Sequence, residues 1–383
     1  MIKKTISTSL CGLLLITSAI SHAEMLAMVN YDSKAGQTPR REGIAILDVD
    51  PKSPQFGKIV NDLPLPPDAI SHHFFYNKDL SKAYITALGN GSLRVINMKH
   101  TPYAIELLDV PECKVSEDMA FTADKKTWYL TCMGSSNVIV GDAQTDKVKQ
   151  VIAADGKDTF IRYPHGIGLQ EDINRIMVTS TVRPSDLGDA GETVTVIEAT
   201  SGKVLSTHKL SDKPSPSGSA PVEAVFVPHA NPAIAYVATM FEGKLWTATW
   251  QVNHHSFDFQ PVYDFAKTKQ GVPLEIYFNQ AHDRLYVTTA NPGALNIFDI
   301  SGESVTKPIL TAAGAHHVVF SPDEKYAFVQ NNFLNLPKMD DGSITVIDLQ
   351  KMEKKTSIDT FKNMGLKAHD IYMLPPWHTD DAH

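Results

Sequence analysis

Two histidine pairs, His72-His73 and His316-His317, stand immediately before the apolar runs Phe74-Phe75-Tyr76 and Val318-Val319-Phe320. His165, His369, Glu117, Glu223 and Glu275 hold a comparable place before other apolar runs. Neutral imidazole is the commonest metal-binding side chain and suits Cu, Zn, Fe or Ni, while carboxylates complete the coordination sphere or orient the rings from behind. Three or four histidines with one open position have the form of a catalytic metal site. The competing role is structural, because polar groups at strand starts also bond the backbone or channel water. A chain with 15 His among 383 residues has few to spare, so four at equivalent places favour a metal over a hydrated ring.

The elements that position these residues repeat. "SHHFFYNKDLSKAYITALGNGSLRVIN", "SEDMAFTADKKTWYLTCMGSSNVIVGD", "YPHGIGLQEDINRIMVTS", "APVEAVFVPHANPAIAYVATMFEGKLWTAT", "VPLEIYFNQAHDRLYVTTANPGALNIFDI" and "AHHVVFSPDEKYAFVQNN" each give an apolar run, a polar turn and a second run. That is an antiparallel meander, and the units recur near the ~40–50-residue period of propeller blades. A seventh start, "AHDIYMLPP", has no strands after it, and the N-terminal "EMLAMVNY" and "EGIAILDVD" have no first strand before them. The expectation is an all-β, seven-bladed β-propeller closed by strands from both termini, which leaves no open sheet edge. Alignment on the apolar runs stacks His72, Glu117, His165, Glu223, Glu275, His316 and His369 in one ring. The next ring is His73, Asp118, Gly166, Ala224, Ile276, His317 and Asp370.

Residues 1–23 have Lys3 and Lys4, an apolar stretch and a small-residue ending, the build of a cleavable signal peptide. The propeller is expected over 24–376 and a C-terminal tail over 377–383, in a protein that is periplasmic or secreted and has no membrane span. The formal net charge of −8 becomes more negative without the leader's lysines, which argues against a nucleic-acid partner. Cys113 and Cys132 lie near one end of adjoining strands, so a disulfide competes with thiolate ligation of a soft metal or a reactive thiol. Two long loops, 182–192 and 331–342, are expected on the same face as the ring. Arg183, Asn331 and Asn332 in them are candidate contacts to a small-molecule substrate.

"RLYVTTANPGALNIFDI" and "KAYITALGNGSLRVINM" resemble the YVTN-type repeats of exported bacterial seven-bladed propellers, which implies fold more than activity. "LDVDPKSPQFGKIVNDLPLPPDAISHH" and "KAHDIYMLP" resemble the N- and C-terminal segments of the selenium-binding protein and methanethiol oxidase family. "SEDMAF" and "VPLEIYF" are similar to two of its strands. The resemblance covers His72, Glu117, Glu275 and His369 and implies an exported copper-dependent oxidase; the chain departs from it in lacking an N-terminal cysteine cluster. The expected function is a copper-dependent oxidase of a small thiol or related reduced sulfur compound. His72, His165, His316 and His369 would hold the metal, with His73 and His317 beside them, and Glu117, Glu223 or Glu275 would serve as base. The alternatives are a non-catalytic propeller that binds a metal or a periplasmic protein, and a lactonase-like metal-dependent hydrolase. Serine and zincin hydrolases are disfavoured by the lack of G-x-S-x-G and H-E-x-x-H motifs.

Overall fold

Successive residues of a strand point to opposite faces, and the second strands use this to feed two neighbours at once. In Lys82–Ala87, Ala83 and Ile85 enter the apolar cluster shared with the preceding sheet, while Tyr84 enters the one shared with the next. Repeated around the ring, the pattern produces seven apolar clusters, each between two neighbouring sheets. The computed structural model describes residues 25–153, 161–334 and 336–375. The expected leader and the 377–383 tail lie outside them.

The described residues form seven four-stranded antiparallel sheets, arranged as a seven-bladed β-propeller. The innermost strands are Leu366–Met373, Ser71–Tyr76, Ser116–Phe121, Pro164–Gln170, Pro221–Phe226, Gly271–Phe278 and Ala315–Phe320, for blades 1 to 7 in that order. Blade 1 joins the two ends of the chain: Leu366–Met373 pairs with Leu26–Ser33, followed by Glu42–Asp48 and Ile59–Leu65. Closure by both termini is therefore as expected. Among the described residues, no helix is long and apolar enough to cross a membrane.

Every innermost strand carries a β-bulge at the same place. Ser71 faces Ala87 and Phe74 faces Ile85, so His72 and His73 together stand opposite Thr86. The same two-against-one count sets Glu117 and Asp118 against Thr131, His165 and Gly166 against Thr179, and His316 and His317 against Gln330. Such a bulge re-aims side chains that a regular strand would send to opposite faces. The residue opposite caps it: Thr86 Oγ1 accepts from His73 N at 3.0 Å, Thr131 Oγ1 from Asp118 N at 2.9 Å, and Gln330 Oε1 from His317 N at 3.2 Å. Several caps also reach the next blade. Thr131 donates to His165 O at 2.6 Å, Thr179 to Val222 O at 2.7 Å, and Asn30 Nδ2 to His72 O at 2.6 Å.

Cys113 and Cys132 form a disulfide across a separation of 19 residues, so their sulfurs bond each other. Closing a loop of that length removes unfolded-state entropy worth roughly 3 kcal/mol. A Cys113→Ser/Cys132→Ser double variant is expected to have a lower urea midpoint than the oxidised protein and to lose about that much unfolding free energy. Equal midpoints would mean that the bond contributes nothing.

Candidate metal centre

The bulge register decides which residue of each pair faces the mouth of the channel. A cavity of about 820 Å³ opens there, and His72, Glu117, His165, Val222, Leu274, His316 and His369 all line it. These seven are the first bulge residues of the seven blades. The second residues, His73, Asp118, Gly166, Glu223, Glu275, His317 and Asp370, form a ring one layer below. Glu223 and Glu275 thus belong to the lower ring, not to the ring of His72 as the apolar-run alignment has it. Ala224 and Ile276 correspondingly drop out of the lower ring. Val222 and Leu274 occupy the mouth positions; the alignment began the apolar run one residue early, at Ala224 and Ile276, and so set Glu223 and Glu275 in their place.

The upper ring is therefore two-sided. Blades 7, 1, 2, 3 and 4 give a continuous arc of His316, His369, His72, Glu117 and His165, and blades 5 and 6 give an apolar arc of Val222 and Leu274. Above the apolar arc the two long loops meet. Val182, Leu187 and Ala190 of one and Phe333, Leu334, Leu336 and Met339 of the other pack in one cluster with Val222, Met240 and Leu274. Phe333 also sets its ring edge-on to His316 at 5.3 Å between centroids.

Glu117 bridges two imidazoles, with Oε2 at 3.3 Å from His72 Nε2 and 3.6 Å from His165 Nε2. His316 Nε2 lies 3.2 Å from Glu275 Oε1. The paired rings pack across the two layers, stacked at 4.0 Å for His72 and His73 and tilted at 3.9 Å for His316 and His317. His369 is held differently: its Nε2 is 3.0 Å from Asp32 Oδ1, and Asp32 also takes Lys367 Nζ at 3.1 Å and Arg40 at 3.0 Å. Asp32 and Lys367 were not singled out from the sequence. Asp32 lies 337 residues from His369 in the chain, and only the pairing of the termini reveals their contact.

The donors gather into two groups whose ligand atoms all lie within 4.8 Å of one another: His72, His73, Glu117 and His165, and His73, Glu275, His316 and His317. The four histidines expected around one ion are thus divided between the groups, and His369 joins neither. His72 Nδ1 and His73 Nε2 are buried with no hydrogen-bond partner, which fits donors aimed at a cation, and Glu117 Oε2 has only the His72 and His165 rings beside it. Arg183 lines the cavity, with its Nε on Asp186 at 2.8 Å. Asn331 does not line it, because its Nδ2 bonds Ser343 O and Thr345 Oγ1, each at 3.0 Å. Asn332 is buried beside the cavity with both amide atoms unpartnered.

Burial sets the protonation of the site. It lowers His165 and His316 to about 4, against opposing pulls from the Glu117 carboxylate on the first and from Glu117 and an Asn332 backbone bond on the second. Burial, with neighbouring imidazoles, puts His72, His73 and His317 well below the ordinary value. The rings are neutral at neutral pH and keep their lone pairs. Burial also raises Glu117 to about 7, with His165 and His316 pulling it back, and raises Glu275 to about 8, with Glu117 adding repulsion.

No family and no curated protein matches the sequence. The fold resembles a hypothetical selenium-binding protein from Sulfolobus tokodaii at 14% identity and TM-score 0.71, over 91% of this chain and 93% of that one. It also resembles a putative 6-phosphogluconolactonase from Bacteroides fragilis at 14% identity and TM-score 0.61, over 92% and 98%. Kuenenia stuttgartiensis hydrazine synthase matches at 13% identity and TM-score 0.55, over 75% and 79%. At these identities the likeness is one of fold.

The two kinds of shift act on stability in opposite directions. A histidine lowered to about 4 contributes full stability above its unfolded value near 6.5 and loses it as pH falls toward 4. A carboxyl raised to about 7 or 8 contributes below its unfolded value near 4.5 and loses that contribution as pH rises through the folded value. The metal-free protein is therefore expected to lose thermal midpoint between about pH 6.5 and 8, where only the carboxyls change. Glu275→Gln should flatten that fall in differential scanning fluorimetry, and an unchanged slope would remove Glu275 as a cause.

Proposed function

We propose that this chain is an exported, copper-dependent oxidase that uses dioxygen to oxidise a small thiol or related reduced sulfur compound at the mouth of the propeller channel. The observation that carries this reading is the set of buried imidazoles of His72, His165 and His316 beside Glu117, neutral at neutral pH, at the floor of a cavity whose other walls are largely apolar. His72, His165 and His73 would hold the ion; copper, when bound, supplies a one-electron couple and a soft partner for sulfur.

The protein's own residues do the rest. Val222, Leu274, Met240 and Phe333 line the side of the cavity opposite Glu117 and would receive the apolar part of the thiol. Glu117 is the one carboxylate of the three expected bases that faces the cavity, and its proton affinity near neutral pH suits it to take the thiol proton. Glu223 and Glu275 lie in the layer beneath and would act on the site through its histidines. Asp32 would fix the ring of His369 at the rim of the cavity, beside the donors rather than among them. The structural neighbour described as selenium-binding is consistent with a soft chalcogen ligand, since selenium and sulfur share that preference.

Purified protein reconstituted with copper is expected to consume dioxygen when given methanethiol or ethanethiol. His165→Ala should weaken copper binding at least tenfold and bring thiol-dependent uptake to background. Reconstituted wild-type protein with no thiol-dependent oxygen uptake would end the proposal. A lactone hydrolase would work without dioxygen, so hydrolysis under anaerobic conditions would point to that reading instead.

A further inference from the structure

We propose that the channel binds a second divalent metal ion one layer below the mouth, held by His316, His317 and Glu275 with His73 between the two sites. This rests on the oxidase reading only for the ion at the mouth. The deeper site stands on its own residues.

The bulge turns two consecutive residues of one strand toward the axis, so each His-His pair spans both layers. His73 of blade 2 meets His317 of blade 7 with ring centroids 4.8 Å apart. From blade 6, Glu275 comes within 3.2 Å of His316 Nε2. The ligand atoms of His73, Glu275, His316 and His317 lie within 4.8 Å of one another, as closely gathered as those of the upper group.

Two of these atoms have no partner. His317 Nε2 and His73 Nε2 make no hydrogen bond, although the residues are only 4% and 3% exposed, and Glu275 Oε1 has only the His316 ring beside it, at 3.2 Å. An unpartnered polar atom at such depth costs about 1–3 kcal/mol, more if charged, unless something binds it. His317 is also oriented for a ligand role: its Nδ1 faces Asp370 Oδ1 at 3.4 Å and Tyr277 Oη at 3.5 Å. A proton held on Nδ1 by the carboxylate leaves the Nε2 lone pair free, the arrangement found behind metal-bound histidines.

Charge points the same way. Glu117, Asp118, Glu223, Glu275 and Asp370 are all buried around the channel. Asp118 accepts from Met119 N and Ile167 N, and Asp370 from Ile371 N and Phe74 N, so the backbone satisfies both. Lys367, at the mouth, pairs with Asp32. An ion at the mouth would sit with Glu117, leaving Glu275 with a neutral imidazole for company. Two imidazoles and a carboxylate, from His316, His317 and Glu275, suit a first-row divalent ion such as Cu²⁺ or Zn²⁺ with positions left for water.

The test is stoichiometry on the full chain, stripped with chelator and titrated with Zn²⁺ or Cu²⁺ alone, with bound metal measured by elemental analysis after dialysis. Two equivalents are expected for wild type and one for either Glu275→Gln or His317→Ala. His165→Ala should also keep one, and His165→Ala/His317→Ala none, which accounts for adventitious surface sites. If a variant fails to fold by circular dichroism, the wild-type count decides alone. Saturation of wild type at one equivalent, or two retained by well-folded Glu275→Gln and His317→Ala proteins, overturns the deeper site. One equivalent with full thiol oxidation would overturn it and leave the oxidase standing. Two equivalents without turnover would do the reverse.

Discussion

The bulge near the start of each innermost strand is the constraint from which the rest follows. A regular strand would send His72 toward one neighbouring blade and His73 toward the other, into apolar clusters where an imidazole has no partner. Two residues set against one redirect both toward the axis, at different heights. Six of the seven blades place a polar side chain opposite the bulge: Thr86, Thr131, Thr179, Thr288, Gln330 and Asn30. In blade 5 the place falls to Ala238, and there the mouth residue is Val222. The threonine of the repeated "YIT", "YLT" and "YVT" runs thus has a job beyond strand propensity, because it satisfies the N–H that the bulge frees.

Redirecting polar groups inward creates an energetic problem that the structure solves in two ways. Asp118 and Asp370 become fasteners between blades, each accepting one N–H from its own strand and one from the next blade. This is the structural role that polar strand starts were weighed against at the sequence level, and for these two residues it holds. The histidines and Glu117 and Glu275 are not absorbed in this way. Gly166 shows how tightly the lower ring is drawn, since a Cβ there would lie 2.4 Å from Val222 O. That close approach lets blades 4 and 5 meet without a side chain between them, while the donors of the other blades remain facing the centre.

The fold was legible because every blade repeats one pattern of apolar run, turn and apolar run, and because the two incomplete units at the ends complement each other. The ring was legible only where polarity marks the position. At His72, Glu117, His165, His316 and His369 a polar residue precedes the apolar run and lines the cavity. At blades 5 and 6 the mouth residue is apolar, and alignment on the apolar runs slid by one to Glu223 and Glu275. A better signal was available: the second bulge residue precedes its cap by 13 residues at His73, Asp118, Glu275 and His317. Counting back from the threonine of "YVTT" places Glu275 with His73. In blade 5 the longer turn through "VPHANPA" changes the count. Asn331 looked like a loop residue poised over the site, but it ends the strand Tyr326–Asn331 and its amide closes the base of its loop.

The two-sided ring bears on what the cavity can do. Were donors spread evenly over seven blades, a bound ion would be enclosed by protein ligands and a substrate would have to displace one. Confining them to five adjoining blades leaves the side under Val222 and Leu274 lined with groups that would not compete for an ion. The loop cluster of Leu187, Phe333, Leu334 and Met339 roofs that same side, so the approach offers apolar surface rather than water. Excluding water there strengthens every electrostatic interaction among the buried groups. The mouth is thus divided between an arc of donors and an apolar arc, and Lys114, Arg183 and Lys367 add cationic groups to the cavity wall.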